Sequence, residues 1–146
     1  MFIGHAVQVI DPKGRISIPA RFRDLVKSMG DTRLIVTKSD SCLSVYPYAK
    51  WQEIGEKISQ LSQADKEIRA YKRFFVSMAC ECNLDSHNRI LIPPPLREHA
   101  KLTKDVVLAG QLTYFEIWDK GRFEEEQARI EKIHTALEEK LASLGF

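Results

Sequence analysis

Cysteine is scarce in this chain, with three in 146 residues, at positions 42, 80 and 82. An odd count, with the one close pair separated by a single residue, gives no disulfide framework. Long apolar runs are missing as well. No stretch of about 18 consecutive apolar residues occurs, which argues against a membrane-spanning helix. Met1-Phe2-Ile3-Gly4-His5-Ala6 lacks the basic segment and apolar run of a secretory leader, so a cytoplasmic protein is expected. Signatures of catalysis are absent too: Asp85 and His87 lie close, but no nucleophile elbow, P-loop or His-Glu-x-x-His accompanies them. Neither an enzyme nor a small-molecule substrate is therefore expected. Cys80, Cys82 and His87 make a poor metal set, because Cys-x-Cys departs from the usual two-residue spacing and no fourth ligand is evident. The expectation is no metal and no cofactor, with the cysteines serving as small buried residues.

Net charge is also nearly absent, at +2, but it is unevenly distributed. Residues 1–80 carry 13 Lys or Arg against 8 Asp or Glu, and residues 81–146 carry 9 against 12, giving +5 and −3. A basic first half suits an anionic partner. What the chain does have is internal repetition. Ile10-Asp11-Pro12-Lys13-Gly14-Arg15-Ile16-Ser17-Ile18-Pro19 returns 74 residues later as Leu84-Asp85-Ser86-His87-Asn88-Arg89-Ile90-Leu91-Ile92-Pro93, and Arg23 is matched by Arg97 at the same offset. Leu43-x-Val45-Tyr46-Pro47-x-x-x-Trp51 matches Phe115-x-Ile117-Trp118-Asp119-x-x-x-Phe123 at an offset of 72, so two residues are lost in between, where a loop would tolerate it. Two copies are too few for a solenoid, and two halves about a pseudo-two-fold axis fit better.

Alternation predicts a strand over Phe2 to Ile10, a turn at Asp11-Pro12-Lys13-Gly14, and a returning strand from Arg15, together a hairpin. Pro19 ends that strand, and a short helix is expected over Ala20 to Met29. Leu34 to Thr37 and Cys42 to Tyr46 form a second strand pair, and the second copy repeats this order. Helical spacing of Trp51, Ile54, Ile58 and Leu61, then of Ile68, Tyr71, Phe75 and Met78, predicts two helices or one bent one between the copies. The expected division is a first repeat over 1–52, a helical connector over 53–79, and a second repeat with a C-terminal helix over 80–146. The stripe of Phe123, Ile130, Ile133, Leu137, Leu141 and Leu144 fits either a helix packed on its own domain or a subunit interface.

In the repeated motif, Asp11 can pair with Arg15, and Asp85 with Arg89, across the ends of the turn. An exposed ion pair contributes only about 0–1 kcal/mol, a weak reason to place the same pair twice. Fixing the direction of the arginine is a better one, since a pre-oriented guanidinium offers a planar fork to phosphate oxygens or to guanine O6 and N7. Lys13 supplies a point charge, and Gly14 allows close approach of the backbone. Basic residues on a turn, rather than along a helix, disfavour helix-turn-helix recognition.

Asp-x-x-x-Arg followed by an apolar strand and Ile-Pro resembles the AbrB-type DNA-binding fold. Its tandem duplication, with Met1-Phe2-x-Gly4, Asp11-x-Lys13-Gly14-Arg15, Ile18-Pro19, Tyr46-Pro47 to Trp51, Glu81-Cys82 and Asp85 to Arg89, resembles the MraZ family over nearly the whole chain. The resemblance implies an α+β, β-rich fold in which two hairpin units interlace as a swapped-hairpin (double-split) β-barrel with pseudo-two-fold symmetry, plus connector and C-terminal helices. It implies a sequence-specific transcriptional regulator of the division and cell-wall gene cluster, nucleoid-associated, self-assembling into a ring and binding double-stranded DNA at short direct repeats. It also carries Lys13, Gly14 and Arg15 over as the primary DNA-contacting loop.

In the second copy, Ser86-His87-Asn88 replaces Pro12-Lys13-Gly14, exchanging a full positive charge for an imidazole, so Arg89 ranks below Arg15 as a contact. Arg21 and Arg23 could extend the basic surface, and Arg23, like Arg97, could equally brace the short helix. The competing reading is an AbrB-like antitoxin or protein-interaction module. That would use one motif copy and an unstructured C-terminal arm, where this chain has two copies and helical periodicity at its end.

Overall fold

The structure, a computed structural model, describes residues 1–146. The first copy of the repeat gives β1 (His5–Val9), β2 (Arg15–Ser17), α1 (Ala20–Ser28), β3 (Leu34–Lys38), β4 (Leu43–Pro47) and α2 (Tyr48–Ser59). After α3 (Lys66–Phe75) the second copy gives β5 (Cys80–Glu81), β6 (Arg89–Leu91), α4 (Pro94–Ala100), β7 (Asp105–Gly110), β8 (Phe115–Asp119) and α5 (Lys120–Lys132), and α6 (His134–Ser143) ends the chain. The connector is thus two helices. Asp65 caps α3 by accepting from the Glu67 and Ile68 amides, while proline opens α1 and α2 at the cap position. The two-residue shortening between the copies falls in the helix rather than its loop, since α1 has 9 residues and α4 has 7.

Six strands form one antiparallel sheet in the order β1-β7-β8-β4-β3-β5, and β2 and β6 form a separate two-stranded ribbon. Exchanging each strand of the first copy for its counterpart in the second turns this order into its own reverse. The strand order therefore has the two-fold character expected of the repeat. The predicted hairpin is corrected in one respect. β1 and β2 meet only through a bridge between Ile10 and Ile16, after which β1 pairs with β7 and β2 with β6, both from the other copy. The sheet is α+β in its setting and rich in strands, but it is not closed: β1 and β5 stand at its two edges.

The interlacing follows from what each copy must bury. Ile16 and Ile90, directly opposed at the centre of the ribbon, are both fully buried, as are Ile18 and Ile92 just beyond them. One core of 20 buried residues draws on both copies, with Phe2, Phe22 and Phe115 at its heart at ring-centroid separations of 5.2–5.4 Å. Phe2 is locked in by reciprocal backbone hydrogen bonds with Leu112, of 2.8 Å each. Gly110 makes room for this approach, because a Cβ there would collide with the Phe2 backbone. β3, β4 and the core of β7 read as nearly continuous apolar runs because both faces are covered. Thr37, fully buried on β3, donates its hydroxyl to the Phe75 carbonyl and so ties the end of α3 to the sheet.

The C-terminal stripe divides. α5 lies against β7 and β8, with Phe123 packed on Trp118. The helix then breaks at Ile133, whose φ of −108° and ψ of 10° leave the helical region, and every residue of α6 is exposed. No helix is long and apolar enough to cross a membrane.

Candidate nucleic-acid interface

Each motif forms the same hydrogen-bonded turn. In the first, the Gly14 amide donates to the Asp11 carbonyl at 2.9 Å and the Asp11 amide to the Arg15 carbonyl at 3.0 Å. The Asp11 carboxylate then closes the loop from inside. Its Oδ1 accepts from the amides of Lys13 (3.0 Å) and Arg15 (2.8 Å), and its Oδ2 from Arg15 Nε at 2.6 Å. In the second, Asp85 Oδ1 accepts from the amides of His87 (2.8 Å) and Arg89 (3.0 Å), and Oδ2 from Arg89 Nε at 3.1 Å. An aspartate is needed at this position because its short side chain reaches amides two and four residues on while keeping a second oxygen for the arginine.

The electrostatics follow the bonds. The Arg15 amide, joined by the Arg15 side chain, holds the Asp11 carboxyl below its ordinary range against the opposing effect of desolvation. The Arg89 amide does the same for Asp85, with the His87 amide next. Both aspartates are thus charged partners at neutral pH. Using Nε for the clamp leaves the two terminal nitrogens of Arg15 without a protein acceptor, a free fork at the end of the side chain. Arg89 is less free, since its Nη2 sits 3.4 Å from His87 Nδ1.

The ribbon settles how the two motifs relate. Its register sets Arg15 opposite Leu91 and Ser17 opposite Arg89, with Ile16 and Ile90 turned into the core. By strand alternation, Arg15 and Arg89 share the outward face, on a diagonal of about 7–8 Å. The structure therefore joins the two motifs on one basic face. Lys13 is exposed at the tip of the first loop, and Gly14 is buried with φ +92°. Its counterpart Asn88 takes φ 60°, the left-handed region that asparagine tolerates better than most residues.

The remaining candidates lie elsewhere. Arg21 spends Nη2 on the His5 carbonyl at 3.0 Å and sits over the Phe22 ring. Arg23 donates Nη1 to the Ile18 carbonyl at 3.3 Å, the bracing geometry of its two alternatives. Two residues that the sequence does not mark as loop supports hold the loops from across the repeat boundary. Lys27, on α1, donates to Asn88 Oδ1 at 3.2 Å, and Arg97, on α4, lies under Gly14. Only the matching position of Arg97 and Arg23 could have drawn attention to either. Cys82 is buried and Cys80 half-buried at the sheet edge, and no three His, Cys, Asp or Glu side chains converge.

Comparison with known proteins agrees with the duplicated motif. The family model described as "MraZ protein, putative antitoxin-like" matches the chain twice, over residues 1–74 and 75–143. A protein of Desulforapulum autotrophicum named transcriptional regulator MraZ is 43% identical over 148 aligned residues, covering 100% of both chains. Proteins of the same name from Moorella thermoacetica and Syntrophobacter fumaroxidans are 44% and 45% identical. The first match covers 100% of both chains, and the second covers 84% of this chain and 82% of that one. With both halves matched and full-length relatives above two-fifths identity, this chain belongs to the MraZ family.

Proposed function

We propose that this protein is a sequence-specific, DNA-binding transcriptional regulator. The observation that carries the reading is the free terminal fork of Arg15, aimed by Asp11 on the same face as Arg89. A guanidinium fixed through Nε presents two parallel N–H donors, the geometry that reads guanine O6 and N7 or clamps a phosphate. Lys13 at the loop tip adds a phosphate contact, and Gly14 supplies the left-handed turn that carries the two basic residues. Arg89 contributes a second, weaker contact. Arg21 and Arg23 act at the margin, because each already serves a backbone carbonyl. The target in this reading is double-stranded DNA carrying short direct repeats in the promoter of the division and cell-wall gene cluster, including the gene's own. A ring of subunits would present several loops to one duplex, and the protein would act in the cytoplasm at the nucleoid. Residues 1–52 and 80–146 serve as the two repeats, joined by a connector over 53–79.

A protein-interaction or antitoxin-like role is the second reading. It draws on α6, whose Leu137 and Leu141 are exposed. Binding to the DNA upstream of the gene, measured across a salt series against a scrambled duplex, decides between them. The first reading predicts tight binding with a steep salt slope. Arg15→Ala should weaken it by about 1–3 kcal/mol per site while leaving the fold intact. Equal binding to native and scrambled duplexes at every salt concentration would remove the first reading in favour of the second.

A further inference from the structure

The first repeat's loop rests on a side chain from the second repeat. Gly14 is buried at φ +92°, and a Cβ built there would stand 2.8 Å from both Cζ and Nε of Arg97 and 2.9 Å from the Ile92 carbonyl oxygen. The Arg97 guanidinium therefore lies directly against the loop at Gly14, in space that only a glycine leaves open. The Gly14 carbonyl accepts from the Ile92 amide at 2.8 Å, which pins the loop to the strand leading into α4. Arg97 is itself rooted on α4 between the fully buried Leu96 and Ala100, and its Nε is buried without a hydrogen-bond partner. A buried, unpaired guanidinium nitrogen costs stability, and a planar group pressed on a glycine that carries the motif is a reason to keep it.

The opposite contact is built differently. Asn88, at the position matching Gly14, has its carbonyl bonded by the Ile18 amide at 3.0 Å and its side chain by Lys27 at 3.2 Å. Each loop is held by the other repeat's helix, the second through a hydrogen bond from Lys27 and the first by the Arg97 guanidinium packed against Gly14.

We propose that Arg97 is the positioning residue of the Lys13–Gly14–Arg15 loop: it sets the height and tilt of that loop, and hence the aim of the Arg15 fork, without touching DNA itself. This role rests on the reading of that loop as the DNA contact. It predicts energetic coupling between Arg15 and Arg97, 82 positions apart in the chain, and it makes the planar shape of the group, rather than its charge, the important property.

The test measures binding of the full-length chain to the native upstream duplex across a salt series for the unaltered protein, R15A, R97M, R97K and R15A/R97M. Hydrogen exchange of the loop amides is followed in parallel. R97M should weaken binding about tenfold, and R97K should recover no more than about threefold of that loss, since coupled neighbours interact on this scale. Within the R15A background R97M should add less than about twofold, because there is no fork left to aim. Loop amides at Lys13 to Arg15 should exchange faster in R97M. An additive R97M loss, with the salt slope reduced by about one, would make Arg97 a direct phosphate contact and overturn the proposal. Full recovery in R97K would reduce the effect to charge, and unaltered loop exchange would remove the bracing. Should R97M fail to fold, R97K alone decides, since normal binding by it refutes the role. Normal binding by R15A would defeat the loop reading itself, whereas weak binding by R15A beside normal binding by R97M would defeat only the role of Arg97.

Discussion

At the scale of single residues, the motif is a device for holding one arginine, and its parts have separable costs. Gly14→Ala must place a Cβ in the left-handed region and against Arg97, so it should destabilise the protein by about 1–3 kcal/mol in denaturant unfolding. Gly55→Ala makes a control. Gly55 lies within α2 with no atom near its missing Cβ, and this substitution should stabilise by roughly 0.5–1 kcal/mol. The clamp also sets a pH limit. Asp11 has its carboxyl lowered from the ordinary 3.8 in the folded loop, so the unfolded chain takes up the proton first as acid is added. The contribution of the clamp is complete above 3.8 and disappears as pH falls through the depressed folded value. An NMR titration followed at the Arg15 amide should therefore show a midpoint below 3.8. A midpoint at or above 3.8 would mean the bond does not form in solution.

At the scale of elements, α3 is anchored by buried Phe75, packed on Tyr46 and Trp51, and by one buried hydroxyl. Thr37→Val keeps the shape but leaves the Phe75 carbonyl without its donor, a loss of about 1–3 kcal/mol in thermal unfolding with faster amide exchange confined to α3. Equal exchange across the whole molecule would place the bond's effect on the global fold instead. Strand and helix positions were largely legible in the sequence because their causes are local. Alternation marks β1, the Asp-Pro-Lys-Gly turn ends it, and proline starts α1 and α2. Pairing was not legible. Whether β2 returns to β1 or joins β6 depends on Ile16 and Ile90 needing one another as cover, and neither residue's neighbours carry that information. The break at Ile133 was hidden for a similar reason, since no glycine or proline marks it and the apolar spacing runs through it. In the candidate site the Asp–Arg pairs were readable from spacing, whereas Arg97 under Gly14 is a contact made only when two distant segments fold together.

At the scale of the whole molecule, stability is shared between the repeats. Within a repeat the sheet keeps only the pairs β3·β4 and β7·β8, while β1·β7, β3·β5, β4·β8 and β2·β6 all join one repeat to the other. Residues 1–74 or 75–143 expressed alone would leave half of a common core exposed. Each fragment should be unfolded or aggregated by circular dichroism and sedimentation, and mixing the two should restore strand signal. A fragment that melts cooperatively as a monomer would contradict the interlaced core.

Joining the two copies in one chain has a consequence for direction. In a pair of identical subunits every change to a loop appears twice, so both ends of the ribbon must stay alike. Here Pro12-Lys13-Gly14 and Ser86-His87-Asn88 have different chemistry on a frame that is symmetric in its strand order. The molecule has a head and a tail, so turning it end for end does not give the same surface. On the proposed DNA-binding reading, such an object would suit a sequence written repeatedly in one orientation better than a palindrome, whose two-fold axis it does not share.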